Sequence, residues 1–573
     1  MSAFFDIAIT KEKPPVFYRG MNLPWEKQVH QGFTYWTSFP VKQRTSFLKQ
    51  FQTTEYQIIL IGMLYEKLTD EDILKRCTQY INSKESFDDP AGHYILFVLE
   101  KKDSSYHVFT NRFGTYHAYW QNGNMISTYF FGMAKQSEKK ELDWEAITGF
   151  MGMGFFPNDA TYFTDIKIFE PASYYKFDSN LNLQVKKQYW NWVYRESNYD
   201  FTTAANSLYD TLSTSINNAI GDYSAALPIS GGLDSRLLAG IIARNGNKKI
   251  QAFSYGFAKS SIEIKIAAKV AHACNMPFSE YIVPPYLFNK MDTIIESVEA
   301  FQYVDGTRQA CITDFLENNC DVVVGGHWGD VWMDSMQIKD ENADTLGSAF
   351  EKKILKKGSG LLFQKLTDHY VSNSSRLLNE YFQQSLDKTK NIPDPNFRMK
   401  IFKTDQWSFR WTLASIRMYE AGAMPILPFY DKNVAEILMS IPEEYLAGRK
   451  FQVEFIKKYF PQLASIRWQE YNSNLYNYKW LNNRNLLYRA VKKAQRLVFQ
   501  KKIIIRNADL FYRDENGRGC LYEALTESNL PNYMPKEHID ELINLYYRDP
   551  SASHTYAISM LHTFAQFLKK IEE

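Results

Sequence analysis

The stretch from Leu227 to Ser235 constrains the fold more than any other part of this 573-residue chain. A short apolar run enters the sequence Ser-Gly-Gly-Leu-Asp-Ser, and a helix-forming run follows at once. Gly231 and Gly232 permit a tight turn and let backbone N–H groups approach an anion closely. A helix that starts near Asp234 adds unpaired N–H groups and the positive end of a dipole. The pattern predicts a phosphate-binding turn, although a plain glycine turn with a helix cap shares this local signature.

The side chains of this turn suit a nucleotide phosphate. Two serine hydroxyls can donate hydrogen bonds, and Asp234 can hold the magnesium that accompanies a triphosphate. The turn matches neither the lysine-bearing phosphate loop nor the dinucleotide glycine fingerprint. The residues predicted to contact the nucleotide here are Ile229, Ser230, Gly231, Gly232, Asp234 and Ser235.

Length and composition indicate an ordinary globular protein with more than one core. Hydrophobic residues make up 45% and charged residues 23%, and the net charge is only +2. The charge gives no electrostatic argument for nucleic acid or an anionic membrane as a partner. The five cysteines are scattered, so they suggest neither a zinc site nor a disulfide framework. With no signal peptide and no long apolar window, we expect a cytoplasmic protein without membrane contact.

The first part of the chain is predicted to be rich in β-strands. Strand-like runs occur at 56–65, 93–100, 106–110, 125–129 and 174–177, with a helical run at 69–80. This pattern fits packed antiparallel sheets with a few helices. A boundary is predicted at 189–198, where an aromatic run leads into a polar stretch, so the first domain is predicted to span residues 1–195.

The second part alternates helices and strands, which predicts a domain at residues 200–573. The predicted helices are 202–219, 234–245 and 262–274, and the predicted strands are 225–229, 250–255 and 321–324. Alternation of this kind indicates a parallel α/β sheet that binds ligands at the carboxyl ends of its strands. The remainder is predicted to be mainly helical, with a polar interruption at 383–396 and a last helix at 551–573.

A neighbouring strand end is predicted to hold the purine. The strand that begins at Ile250 ends in Ser254, Tyr255 and Gly256. In a doubly wound sheet this strand end lies beside the phosphate turn, where a purine ring can rest against backbone.

A second glycine turn follows the strand at 321–324. It contains Gly325 and Gly326, then His327 and Asp330. Because successive strand ends converge, Asp330 is predicted to share magnesium with Asp234, with a helix N-cap as the alternative. His327 is a candidate general base, a candidate substrate contact, or a hydrogen-bonded structural residue.

Taken in order, these motifs resemble asparagine synthetase and its relatives over nearly the whole chain. The motifs that carry the resemblance are 230–235, 254–256, 326–330 and 428–431, together with 111–119, 150–157 and 161–166 in the first part. The resemblance implies an Ntn-hydrolase-like β-sandwich at the N-terminus, followed by a parallel-sheet synthetase domain of the pyrophosphate-loop type with a helical C-terminal part.

The sequence departs from the family at three functional positions. Ser2 stands where glutamine-hydrolysing members expose a nucleophilic cysteine. Ile61 stands where they have an asparagine that stabilises the oxyanion. The resemblance therefore predicts a glutaminase-like domain that is inactive. Gln469 stands at the position of a family lysine that faces the activated intermediate, and Arg467 or Lys479 could replace its charge.

The resemblance implies an ATP- and Mg²⁺-dependent ligase that activates a small-molecule or peptide carboxylate as an acyl-adenylate. An amine then attacks this adenylate, and the nitrogen comes from ammonia or a substrate amine, as in β-lactam synthetases and lasso-peptide cyclases. Similar proteins of polysaccharide gene clusters are a further comparison, and a homodimer is compatible with the family. The alternatives are a non-catalytic nucleotide-binding homologue, a glutamine-dependent asparagine synthetase that uses Ser2, and an RNA-thiolating enzyme.

Overall fold

β-sheets organise both halves of the chain. The structure is a computed structural model, and it describes residues 4–11, 14–30, 33–40, 47–83, 85–194, 199–246, 249–259, 261–338, 343–479 and 507–573. Within these ranges there are two antiparallel sheets of six strands and one parallel sheet of five.

The two antiparallel sheets occupy the first 188 residues. The first sheet has the order β10-β8-β9-β1-β3-β2, and the second has the order β12-β11-β7-β6-β5-β4. Their strands are β1 Asp6–Thr10, β2 Glu26–His30, β3 Phe33–Ser38, β4 Leu48–Gln52, β5 Tyr56–Leu64, β6 Gly92–Glu100, β7 Ser105–Thr110, β8 Tyr119–Gln121, β9 Met125–Ser127, β10 Ile166–Ile168, β11 Ser173–Phe177 and β12 Leu183–Gln188.

The apolar sequence of β5 reflects burial on both of its faces. Ile59 and Ile61 pack into the large core that also contains Ile7 of β1. Ile58 and Leu60 point the other way, into a smaller core shared with the helix Asp70–Ser83. Because alternate residues of a strand face opposite sides, an uninterrupted apolar run is required here.

The strands of the parallel sheet follow those of the antiparallel sheets in chain order. Its strands are β13 Ala225–Pro228, β14 Ile250–Gly256, β15 Phe278–Ile282, β16 Val322–Val324 and β17 Met424–Ile426. The order is β15-β14-β13-β16-β17, which places β13 in the centre. The chain order reverses on either side of β13, so the carboxyl end of β13 is the switch point at which such sheets bind ligands.

Helices surround this sheet and form most of the remaining chain. The α-helices are Asp70–Ser83, Phe130–Gln136, Trp144–Met153, Phe201–Ile220, Asp234–Arg244, Ile262–Ala273, Met291–Val298, Thr313–Asn319, Gly329–Trp332, Ala343–Ile354, Ser359–Lys365, Ser374–Lys388, Pro395–Phe402, Leu413–Glu420, Lys432–Met439, Glu443–Leu446, Lys450–Tyr459, Pro461–Ala464, Asn507–Phe511, Glu515–Thr526, Lys536–Arg548 and Ala552–Glu572. A π-helix spans Lys403–Thr412. Short 3₁₀ turns lie at Phe288–Lys290, Val304–Gly306, Arg308–Ile312, Thr367–His369, Pro428–Tyr430, Ala447–Arg449 and Leu530–Asn532. Among the described helices, none has the length and apolar character that a membrane crossing requires.

These elements confirm the coarse fold class: a mixed α/β chain with antiparallel sheets, a parallel sheet and a helical C-terminal part. The Ntn-hydrolase relationship and the division at 195–200 stay predictions. In the parallel sheet, β15 and β17 were not predicted, and in the antiparallel sheets β1–β4, β8, β10 and β12 were not predicted. The predicted polar interruption at 383–396 is narrower than expected, because the helix Ser374–Lys388 continues into it.

A buried network of charges joins the antiparallel sheets to the rest of the chain. At its centre, the fully buried carboxylate of Glu299 accepts hydrogen bonds from Tyr119 Oη at 3.0 Å and from the backbone N–H of Phe130 at 2.8 Å. It also pairs with the guanidinium groups of Arg19 and Arg417. Charges this deeply buried are retained only where partners satisfy them, so this network fixes how the two parts meet.

We expect Glu299→Gln to lower the free energy of unfolding by about 3–5 kcal/mol, since it leaves two buried guanidinium groups short of a counter-charge. Urea denaturation followed by circular dichroism measures the change. Glu444→Gln is the matched control: Glu444 is exposed, and a surface substitution changes stability by less than about 0.5 kcal/mol. Equal midpoints for the two variants would show that the network carries no stability.

Candidate functional site

The predicted phosphate turn lies at the carboxyl end of the central strand. The backbone N–H of Ile229 donates to Phe253 O at 2.8 Å, which continues the pairing of β13 with β14. The chain then turns, and the helix Asp234–Arg244 begins without a side-chain cap. The first N–H groups of this helix are therefore left for another acceptor, as in helix-terminal anion sites.

The serine hydroxyls hold the turn together from within. Ser235 Oγ accepts from the backbone N–H of Ser230 at 3.0 Å, and the two hydroxyl oxygens are 3.2 Å apart. Ser230 Oγ also accepts from the N–H of Gly232 at 3.2 Å. These bonds pre-shape the turn, and each hydroxyl keeps further hydrogen-bonding capacity for a phosphate oxygen.

Asp234 is held by two donors from a distant segment. Its Oδ1 accepts from Gln452 Nε2 at 2.8 Å and from Arg449 Nη1 at 3.2 Å. Burial raises the pKa of Asp234 to about 6, against the attraction of Arg449 and with a contribution from the repulsion of Asp330. The carboxylate is therefore ionised at neutral pH and gains most from a nearby positive charge.

Arg449 is a cation that lies among the acidic residues of this site, and no local sequence pattern predicted it. Its guanidinium lies 4.0 Å from the carboxylate of Asp330 and 4.0 Å from that of Asp334, in addition to its contact with Asp234. Arg449 adopts a left-handed backbone conformation, with φ of 59°, immediately before the helix Lys450–Tyr459. This turn directs the side chain back toward the central strand.

The second glycine turn packs directly against the first. A side chain at Gly326 would place its Cβ 3.3 Å from the backbone N of Ser235, and one at Gly329 would place it 3.0 Å from Asp234 Cγ. Glycine therefore permits the approach that brings Asp234 and Asp330 to one guanidinium. Asp330 lies in the first turn of the helix Gly329–Trp332 and is not its N-cap, which is Trp328.

The acidic residues fit a magnesium ion that arrives with a triphosphate. Two carboxylates already face one positive group, and Mg²⁺ in such sites uses one or two carboxylates together with phosphate oxygens. The described residues contain no group of three or more His, Cys, Asp and Glu side chains arranged as a self-sufficient metal site. The protein thus supplies part of a coordination shell.

His327 lies beside the same turn, and its pKa is lower than that of an ordinary histidine. The ring is partly exposed, but its Nδ1 is shielded and has no hydrogen-bond partner among the described residues. Burial lowers the pKa of His327 to about 4, although the nearby Asp330 acts in the opposite direction. The imidazole is therefore neutral at neutral pH, and it is a weaker base than an unperturbed histidine.

The predicted purine position is lined by polar and aromatic side chains. Ser254 is buried, Tyr255 is half-buried and Gly256 ends β14. The hydroxyl groups of Tyr255 and Tyr419 interact, and the guanidinium of Arg308 lies 5.6 Å from the Tyr255 ring centre. Arg308 was not predicted, because it lies on a separate 3₁₀ turn far along the chain.

Gln469, which is predicted to stand at the position of the family lysine, lies against the phosphate turn. The backbone N–H of Gln469 donates to Gly231 O at 3.1 Å, and its side chain packs on that glycine. Arg236 holds this segment down, because its guanidinium donates to Ile466 O at 2.9 Å and to Arg467 O at 2.7 Å. The Arg467 side chain itself is exposed.

Other predicted positions are placed as follows. Lys479 is also exposed. Ile61 is buried in β5, where it offers no side-chain donor for an oxyanion. Asp431 caps the helix Lys432–Met439. Ser2 lies outside the described residues.

The low pKa of His327 predicts a neutral imidazole down to pH 5. The unfolded chain binds this proton near pH 6.5, so acid favours unfolding progressively as the pH falls from about 6.5 toward 4. Histidine-selective NMR labelling measures the titration, and His327→Gln assigns the signal. A midpoint near 6.5 would contradict the burial of this ring.

This chain is similar to known proteins over much of its length. A family model described as asparagine synthase matches residues 207–452. Asparagine synthetase [glutamine-hydrolyzing] 1 of Bacillus subtilis (strain 168) is 20% identical over 460 residues, covering 69% of this chain and 71% of that protein.

This chain is also similar to a solved structure. That structure is the NH3-dependent NAD synthetase from Campylobacter jejuni subsp. jejuni NCTC 11168 in complex with the nitrate ion. It is 14% identical and covers 36% of this chain and 93% of that chain, with a TM-score of 0.20. A TM-score this low carries no argument about the fold.

The family match contains both glycine turns and Arg449, whereas Gln469 lies beyond its end. The match begins in the helix Phe201–Ile220, includes β13–β17, and ends at Gln452, a donor to Asp234. The relative from Bacillus subtilis has the same family description in its name. The resemblance to asparagine synthetases is thus confirmed over residues 207–452, and these matches support membership of the chain in that family.

Proposed function

We propose that this protein is an ATP-dependent ligase that joins a carboxylate to an amine. The carboxylate attacks the α-phosphorus of ATP, pyrophosphate leaves, and an acyl-adenylate forms. The amine then attacks the acyl carbon and displaces AMP. The observation that carries this proposal is the uncapped turn at residues 230–235, which lies at the central strand end beside converging carboxylates.

The phosphate turn and the segments beside it each bind a different part of the nucleotide. Ser230, Ser235 and the backbone N–H groups of Gly231 and Gly232 hold the departing pyrophosphate. The strand end at 254–256 takes the purine. Asp234 and Asp330 would hold magnesium, which neutralises phosphate charge when it is bound. Gly325 and Gly326 give the phosphates access by keeping that turn free of side chains.

Arg449, rather than Arg467 or Lys479, supplies the positive charge beside the phosphates. Its guanidinium already lies 3.2 Å from Asp234. Phosphate oxygens compete well for an arginine because they accept bidentate, charge-assisted hydrogen bonds. Arg449 thereby compensates for the uncharged Gln469 on the phosphate turn.

His327 orients the incoming amine. Its ring is neutral and partly exposed, so an unprotonated ring nitrogen can accept a hydrogen bond from an amine N–H. The low pKa favours this positioning role over full proton abstraction. The nitrogen comes from ammonia or a substrate amine, because Ile61 lacks the donor that glutamine hydrolysis needs.

The two predicted domains then have different tasks. Residues 200–573 carry the ligase site, and residues 1–195 serve as a structural, glutaminase-like part that packs against it. We place the protein in the cytoplasm, with a small-molecule or peptide acid as its substrate and a homodimer as its assembly.

A second candidate function is nucleotide binding without catalysis. Gln469 favours it, because its side chain packs on Gly231, where the family lysine would face the activated intermediate. In that case ATP binds, but the charge that develops on leaving pyrophosphate is not stabilised.

Asp234→Asn should lower pyrophosphate release by at least tenfold. The change removes a charge that positions phosphate-bound cations, and a hydrogen bond to a charged group contributes about 1.5–3 kcal/mol. We would measure pyrophosphate with amino acids, sugar acids and peptide acids, each with ammonia, with glutamine and with neither. Asp210→Asn is the control, because Asp210 is exposed on the helix Phe201–Ile220.

We expect pyrophosphate release that requires an acid and Asp234 and that glutamine does not change. Stimulation by glutamine would instead support a glutaminase that uses Ser2. Calorimetric binding of ATP with no pyrophosphate from any acid would support the non-catalytic candidate.

Arg449→Met should weaken ATP binding by about 10- to 100-fold, because a charge-assisted hydrogen bond of about 1.5–3 kcal/mol is lost. Calorimetry with Mg-ATP measures the affinity. Arg467→Met removes the same charge from an exposed side chain of the neighbouring segment, and it should change the affinity less than about twofold. A larger loss in Arg467→Met would assign the phosphate charge to that residue.

A further inference from the structure

A second group of cations lies near the candidate site, around the indole of Trp407. Lys356 Nζ is 4.0 Å from the centre of this ring, and Lys403 Nζ is 5.1 Å from it. Lys356 Nζ also lies 5.9 Å from the ring of Trp411. We name these four residues the lysine–indole site. All four side chains are half-buried, so a ligand can reach them from solvent.

The π-helix Lys403–Thr412 builds this site. Lys403, Trp407 and Trp411 are spaced four residues apart, and in this wide helix such a spacing keeps them close to one face. Lys356 comes from a separate segment, and its backbone N–H donates to Gly152 O at 3.0 Å. π-helical segments are uncommon and often occur at functional sites.

The two ammonium groups of the lysine–indole site have no ion-paired carboxylate among the described residues. Burial and the proximity of Lys403 lower the pKa of Lys356 to about 8, and the pKa of Lys403 is also lowered by burial. Partly buried ammonium groups that repel each other gain most from a bound anion.

A hydrogen-bond donor also faces this region without a partner. The Nε1 of Trp411 is buried and donates to no acceptor among the described residues. Indole N–H groups that are buried usually find an acceptor. An anion bound between the ammonium groups would supply one.

The site is connected to the second glycine turn. Trp328 Nε1 donates to Thr404 Oγ1 at 3.0 Å, one residue beyond Lys403. The ring of Trp328 stacks on Tyr430 at 6.3 Å, and the hydroxyl of Tyr430 contacts Ser408 of the π-helix. Asp330 is the carboxylate that attracts Lys403 electrostatically. A substrate that reaches the reacting phosphate can therefore extend to the π-helix.

We propose that the lysine–indole site binds a dianionic group, such as a phosphate monoester, on the acid that this protein activates. The inference rests on the proposed ligase function and narrows its substrate class. Two ammonium groups and one indole N–H match the charge and acceptor oxygens of a dianion better than those of a single carboxylate. The acid thus carries its second anionic group at a distance from the reacting carboxylate.

Calorimetric titration of the full chain without ATP tests this site. The probes are O-phosphoserine, aspartate and serine, which differ in the charge of one group. We expect O-phosphoserine to bind at least tenfold more tightly than serine, with aspartate between them. Lys356→Met and Lys403→Met should each remove most of this difference, whereas Lys357→Met, which changes an exposed neighbour, should keep it.

Two conservative variants keep the test valid if a methionine variant unfolds. Lys356→Arg retains the charge and should retain preference for O-phosphoserine. Trp411→Phe retains an aromatic ring but removes the N–H donor, and it should weaken O-phosphoserine binding about three- to tenfold. Circular dichroism confirms that each variant is folded.

Equal binding of O-phosphoserine and serine, or equal effects of Lys356→Met and Lys357→Met, would overturn the inference. If pyrophosphate release occurs with other acids in that case, the proposed function stands without this site. If O-phosphoserine binds through the lysines but no acid yields pyrophosphate, the site stands and the ligase proposal fails.

Discussion

The guanidinium of Arg449 is the contact on which the arrangement of the candidate site depends. Asp234 and Asp330 lie at the ends of two neighbouring parallel strands, where their negative charges repel each other. Arg449 lies between them, and it also faces Asp334. The attraction lets two glycine turns pack against each other at the central switch point of the sheet. A nucleotide with its magnesium would enter a place where the protein already favours positive charge.

A second electrostatic constraint holds the antiparallel sheets to the rest of the chain. Glu299 receives hydrogen bonds from Tyr119 and Phe130 of the first part and an ion pair from Arg417 of the second. Removing the first part would take away these two hydrogen bonds and the ion pair with Arg19, and would leave Arg417 as the partner of Glu299. The first part thus stabilises the second part whether or not it has a reaction of its own.

The candidate substrate region is connected both to the second glycine turn and to the antiparallel part of the chain. The π-helix Lys403–Thr412 contacts the second glycine turn through Thr404, and the antiparallel part reaches the same helix through His117, which hydrogen-bonds to Phe409 O at 2.9 Å. Lys356 is tied to Gly152 of the first part. The first part therefore shapes the proposed substrate wall as well as the core.

Local sequence determined the central elements of this protein. The strand Ala225–Pro228, the turn after it and the helix from Asp234 were all predicted, because glycines, serines and apolar periodicity act over a few residues. The second glycine turn and the position of Gln469 were predicted for the same reason. Tertiary structure alone decided that Arg449 reaches Asp234 across 215 residues, that Glu299 is buried among arginines, and that Lys356 meets Trp407. Such contacts form by packing between segments that are far apart in the chain. The local sequence around each residue therefore does not predict them.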